Sequence, residues 1–109
     1  MLVTKEFLFN AAHKLQTSIG EPLHGHNYKL AVTCSGKPKN GMVIEYHKME
    51  ELVKDKIIGK LDNSFLNDFF KQPTAENILI WIWDELKNDL PVSEVRLWEN
   101  PHTSVAIQK

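Results

Sequence analysis

The sequence predicts an α+β domain: an antiparallel sheet carrying two helices on one face. Three observations lead there. Apolar and polar residues alternate with a period of two at both ends of the chain, the period lengthens to a helical one from about Tyr46 to Trp83, and turn formers mark the changes. The predicted order is ββααββ, in one domain spanning residues 1–109.

The first strand runs from about Val3 to His13, where Phe7, Phe9, Ala11 and His13 share a face. A connection from Lys14 to Leu23 follows, broken by Gly20 and Pro22. The second strand begins near His26: Tyr28, Leu30, Val32 and Cys34 form an apolar face, and Asn27, Lys29, Ala31, Thr33 and Ser35 a largely polar one. The stretch Gly36 to Gly41 is dense in turn formers, and Met42-Val43-Ile44 resumes an extended course that pairs locally or crosses an edge.

Helical spacing of Met49, Leu52, Val53 and Ile57 gives the first helix, with Gly59 placed to end it. Lys60 to Gln72 lacks a period and reads as a loop anchored by Phe65, Leu66, Phe69 and Phe70. Pro73-Thr74 opens the second helix. The Thr74 hydroxyl is placed to cap a free N–H, and Glu76 sits at the positive end of the helix dipole. Ile78 to Trp83 is apolar almost all round, which predicts packing on the sheet and on a further element or subunit. Val92 to Trp98 and Ser104 to Ile107 are the closing strands, turning at Asn100-Pro101.

Thirteen Lys and Arg balance fourteen Asp and Glu with no basic block, so nothing points to a nucleic-acid partner. Cys34 is the only cysteine, which excludes an intramolecular disulfide and a cysteine-based zinc cluster. Met1 to Lys14 has no signal-peptide core, and no apolar run approaches the ~20 residues of a membrane span. A cytoplasmic protein is expected.

The chemistry-bearing stretch is Leu23-His24-Gly25-His26. In an extended segment residues two apart project from one face, so His24 and His26 can offer two imidazoles to one ion. A catalytic zinc usually takes three protein ligands and keeps a fourth position open, and His13, ending the first strand, is the best third candidate. An H-x-H pair alone more often marks solvated or core-capping histidines, and His13 at the end of the preceding strand shifts the balance toward a metal site.

Further motifs bear on that choice. Phe9-x-Ala11-Ala12-His13, Leu23-His24-Gly25-His26, Gly41-Met42-Val43-Ile44-Glu45-Tyr46, Leu61-Asp62 with Leu66-Asn67, Pro73-Thr74-Ala75-Glu76-Asn77 and Glu99 stand in the order of motifs from one family. The chain resembles the 6-pyruvoyl-tetrahydropterin and 6-carboxy-tetrahydropterin synthases. This resemblance implies the tunnelling fold, in which three sheets close a barrel and two rings stack, so that the working state is a homo-oligomer, trimer or hexamer. It implies Zn2+ on His13, His24 and His26, a lyase reaction on 7,8-dihydroneopterin triphosphate, and pterin anchoring by Glu99 with a contact from Thr74.

The chain also departs from the family pattern. The usual catalytic cysteine corresponds to Gly20, and the histidine after Asp62 corresponds to Asn63. Neither residue carries a proton usefully. Glu21, in E-x-x-H-G-H, resembles the type III subgroup, which is associated with 6-hydroxymethyl-7,8-dihydropterin, and the resemblance makes Glu21 and Asp62 the catalytic candidates. His47 and His102 could serve only if folding brought them near. The alternative, from another class, is an oligomer that binds zinc and pterin without catalysis.

Overall fold

The computed structural model describes residues 1–16 and 23–109. Its sheet has five strands in the order β3-β1-β2-β4-β5. These are β1 (Leu2–His13), β2 (His24–Ser35), β3 (Ser64–Phe65), β4 (Val92–Asn100) and β5 (Thr103–Gln108). All neighbours are antiparallel except β3, which runs parallel to β1. The α+β class and the two helices on one face are as expected.

The pairing of β1 with β2 positions the site. It runs in unbroken register from Leu2↔Ser35 to His13↔His24. A one-residue slip would turn every side chain to the other face, so the alternation of Phe7, Phe9 and Ala11 against Tyr28 and Leu30 pins the register. These five side chains are buried, and the Phe9 and Tyr28 rings stack 4.9 Å apart within 5° of parallel. Because the register is pinned, His13 and His24 emerge opposite each other at the end of the same inward face, with His26 opposite Ala11.

The helices cover that face. Met49, Val53, Ile57 and Leu61 from one, and Ile78, Leu79, Ile82 and Leu86 from the other, join the inner faces of β1, β2 and β4 in one core. At about 25 cal/mol per Å² of apolar area, burying such side chains is the main term favouring the fold.

The first helix differs from expectation in where it stops. It passes from α1 (Tyr46–Val53) through a π-turn (Lys54–Ile58) into α2 (Gly59–Leu61). Gly59 does not end it: its φ of −60° is helical, and its N–H bonds to the Lys54 carbonyl. A Cβ at Gly59 would meet that carbonyl oxygen at 3.1 Å, so glycine here permits a close approach of backbone. The helix ends at Asp62, and Asn63 takes the left-handed conformation that its short amide tolerates.

The Lys60–Gln72 stretch is more ordered than a loop. It contains β3 and a 3-10 turn (Leu66–Asp68), and it is tied to β1 by side chains. Asp62 Oδ1 accepts the Asn10 N–H at 2.9 Å. The Asn67 amide accepts from the Lys14 N–H and donates to the Lys14 carbonyl, both at 2.9 Å. Gln72 does the same for Gln16, at 3.0 and 2.8 Å. A carboxamide presents one acceptor and one donor side by side, so each of these residues replaces a missing strand partner for the backbone leaving His13.

The helix α3 (Ala75–Leu86) begins as predicted, with the Thr74 hydroxyl accepting the Asn77 N–H at 3.2 Å. Asn40-Gly41, both at positive φ, form a tight turn that lets Lys39 pair with Met42, so this segment pairs locally.

Candidate metal centre

The backbone brings three imidazoles together from two strands. His13 Nε2 lies 3.2 Å from His24 Nε2 and 3.0 Å from His26 Nε2, and all three ligand atoms fall within 4.8 Å of one another. Two nitrogens bound tetrahedrally to one zinc at ~2.0–2.1 Å would stand about 3.3 Å apart. The spacing of His13 from each of the other two imidazoles therefore fits ligation of a single small divalent ion. His13 is fully buried, and His24 and His26 are partly exposed, so the cluster opens on one side.

The tautomer of His13 also fits. Its Nδ1 lies 3.1 Å from the carbonyl oxygen of Pro73, which can only accept, so a proton on Nδ1 satisfies this contact and leaves the Nε2 lone pair for a metal. Tyr28 Oη stands 3.3 Å from the same Nδ1. Burial, and secondarily the charge of Glu99, raises the Tyr28 pKa well above that of an ordinary phenol. The hydroxyl stays neutral.

Glu99 completes the group. One residue beyond the Trp98 that pairs with Lys29, it places Oε1 3.2 Å from both His13 Nε2 and His26 Nε2. It remains 23% exposed, so a molecule in the adjoining space can reach it. That space is a cleft of about 390 Å³ bordered by His26, Glu99, Asn27 and Trp98. A second cleft of about 450 Å³ touches His26 from the β3 side and is bordered by Asn63 and Asn10.

The other residues singled out from sequence fall in different places. Glu21 lies outside the described residues. Asp62 spends one carboxylate oxygen on the Asn10 N–H, and Thr74 caps α3, next to the Pro73 that holds His13. His47 is exposed on α1 within 3.5 Å of Glu51, and His102 is exposed in the β4–β5 turn. Neither joins the cluster. Sequence reasoning missed Tyr28 and Pro73. Tyr28 was legible in principle, because H-x-H-x-Y puts it on the same strand face as both histidines; a backbone carbonyl leaves no such trace.

Comparison with known proteins agrees with this architecture. The family model described as 6-pyruvoyl tetrahydropterin synthase matches residues 2–109. A putative 6-carboxy-5,6,7,8-tetrahydropterin synthase of Archaeoglobus fulgidus is 38% identical, covering 92% of this chain and 89% of its own. A dihydroneopterin monophosphate aldolase of Pyrococcus furiosus is 34% identical, covering 92% and 90%. The solved Caenorhabditis elegans 6-pyruvoyl tetrahydropterin synthase superimposes with a TM-score of 0.81 at 25% identity, covering 100% of this chain and 96% of the other. With three histidines converging at the end of such a sheet and a family match over nearly its whole length, this chain belongs to the 6-pyruvoyl tetrahydropterin synthase family.

Proposed function

We propose that the protein is a zinc-dependent lyase that cleaves the side chain of a phosphorylated 7,8-dihydroneopterin, the triphosphate or the monophosphate. The observation that carries this reading is the convergence of His13, His24 and His26 Nε2 atoms beside the Glu99 carboxylate, at the mouth of a cleft. Zinc held by the three imidazoles supplies Lewis acidity, which lowers the pKa of a hydroxyl placed against it. The Pro73 carbonyl orients the His13 ring from behind, which supports this ligand role.

Among the possible products we favour the 6-hydroxymethyl pterin. Glu21 stands in the E-x-x-H-G-H arrangement that resembles the type III subgroup, and a similar protein from P. furiosus is named a dihydroneopterin monophosphate aldolase. In that reaction the C2′ hydroxyl loses its proton, its electron pair forms an aldehyde, and the C1′–C2′ bond breaks. The electrons left on C1′ delocalise into the dihydropterin ring before C1′ takes a proton. The products are 6-hydroxymethyl-7,8-dihydropterin and glycolaldehyde carrying the phosphate, with no net oxidation. Glu21 is the proposed base, Glu99 the carboxylate for the pterin N–H donors with Thr74 near the same edge, and Asp62 an orienting group.

A specific distance favours a second assignment. Glu99 Oε1 stands 3.2 Å from two of the ligand nitrogens, which puts a carboxylate within reach of a hydroxyl bound beside them. As proton acceptor it would act in kcat; as pterin anchor it would act in KM.

Product analysis by mass, from single turnover of 7,8-dihydroneopterin phosphates by the zinc-loaded and the metal-stripped protein, tests the proposal. The expected result is 6-hydroxymethyl-7,8-dihydropterin formed only with metal. Pterin binding without release of any fragment would instead support the non-catalytic reading.

A further inference from the structure

We propose that Lys29 binds the phosphate of the substrate, taking the ester phosphate that the monophosphate and the triphosphate of 7,8-dihydroneopterin share. This deepens the substrate reading above and rests on it. An opening in the sheet is where the two ends of such a molecule can be held. Pairing of β2 with β4 ends at Lys29↔Trp98, and Glu99 is an extra residue between the β4–β5 pairs Trp98↔Ser104 and Asn100↔Thr103. A bulge of this kind bends its strand. The cleft of about 390 Å³ lies beyond that point, and residues from both faces of the sheet border it: His26 and Glu99 from the inner face, Lys29 and Trp98 from the outer one.

A phosphate carried to the histidines needs a cation near them, and the choice is narrow. Among the described residues bordering this cleft and the one on the β3 side, Lys29 is the one lysine or arginine. Arg96 also approaches the Trp98 ring, at 5.8 Å, but its guanidinium donates to Ser104 Oγ at 2.9 Å and pairs with Glu94 at 3.5 Å, away from the cleft border. The Lys29 ammonium stands 4.2 Å from the centre of the Trp98 ring, which holds it at the cleft wall. Two carboxylates are close enough to matter. Glu6 pairs with Lys29 at 3.7 Å, but both side chains are exposed, and such a pair contributes little and yields to a stronger anion. Glu99 turns Oε1 to the histidines, 3.2 Å from the Nε2 atoms of His13 and His26. His26 and Lys29 are three residues apart on β2, about 10 Å along an extended strand. The substrate's three-carbon side chain, its phosphate and the lysine arm together span that gap.

Calorimetric titration of the zinc-loaded protein with neopterin and with neopterin monophosphate, oxidised analogues of the proposed substrate, tests the assignment. The unmodified protein is expected to bind the phosphorylated compound about 10- to 100-fold more tightly, as charge-assisted hydrogen bonds to a phosphate do. Lys29→Met and Lys29→Gln, either of which serves if the other does not fold, should bring that ratio close to one, and Lys29→Arg should keep most of it. Equal affinity of the unmodified protein for the two compounds would overturn the proposal without any variant. So would a preference for phosphate that survives the loss of the Lys29 charge, because another group would then hold it. Binding of neither compound by the unmodified protein would instead sink the pterin reading on which the proposal rests.

Discussion

At the residue scale, the site was half legible in the sequence. His24 and His26 announce themselves by spacing, and His13 follows because an alternating strand ends on it. What pattern does not carry is which atoms face each other across strands, so the approach of Glu99 to His13 and His26 came only with the register of β2 on β4. Its two assignments predict different kinetics. Glu99→Gln should raise KM with kcat nearly intact if Glu99 anchors the pterin, and should lower kcat by ~10² to 10⁴ if it accepts the proton. Glu21→Gln is expected to show the second pattern, in steady-state assays run side by side. Cys34 gives a simpler test. Buried in the core, with desolvation pushing its thiol pKa up to about 11, it has almost no thiolate near neutrality. Iodoacetamide at pH 8 should leave the native protein unlabelled by mass and label it fully in denaturant; rapid native labelling would contradict the packing of β2.

At the element scale, periodicity was informative where one face is buried and silent where it is not. The four long strands and both helices follow from alternation and helical spacing. The Lys60–Gln72 stretch does not, because its order comes from the amides of Asn67 and Gln72 bonding to the backbone of Lys14 and Gln16, partners more than fifty residues away in sequence. Gly59 was misleading for a related reason: a glycine near a helix end resembles a stop, but here it accommodates the Lys54 carbonyl of the π-turn. Asn67→Asp keeps the acceptor and loses the donor. It should cost about 1 kcal/mol, read by denaturant titration, since a net hydrogen bond contributes about that much. Thr74→Ala removes the α3 cap and should also cost about 1 kcal/mol. Because Pro73 precedes that cap and accepts from His13, the same variant should weaken zinc binding as well. Unchanged stability in Thr74→Ala would mean the cap contributes nothing.

At the scale of the whole molecule, the sheet ends in β3 on one side and β5 on the other, and large apolar side chains such as Leu8, Phe69 and Ile80 remain exposed. Exposed apolar surface and an open strand edge both favour association, and we propose that copies assemble through these features into the family's barrel. Light scattering at micromolar concentration should then report a trimer or hexamer, whereas a monomer would argue against a shared site. The fold class could be read from sequence because each element's pattern agrees with a single buried face; assembly could not, because exposed side chains obey no such period. We propose that His13, His24 and His26 hold one catalytic zinc, and X-ray absorption at the zinc edge of the loaded protein tests this most directly. Three imidazole nitrogens are expected at ~2.0–2.1 Å, with oxygen in the remaining position. Fewer than three imidazoles around the ion, or no zinc retained, would contradict it.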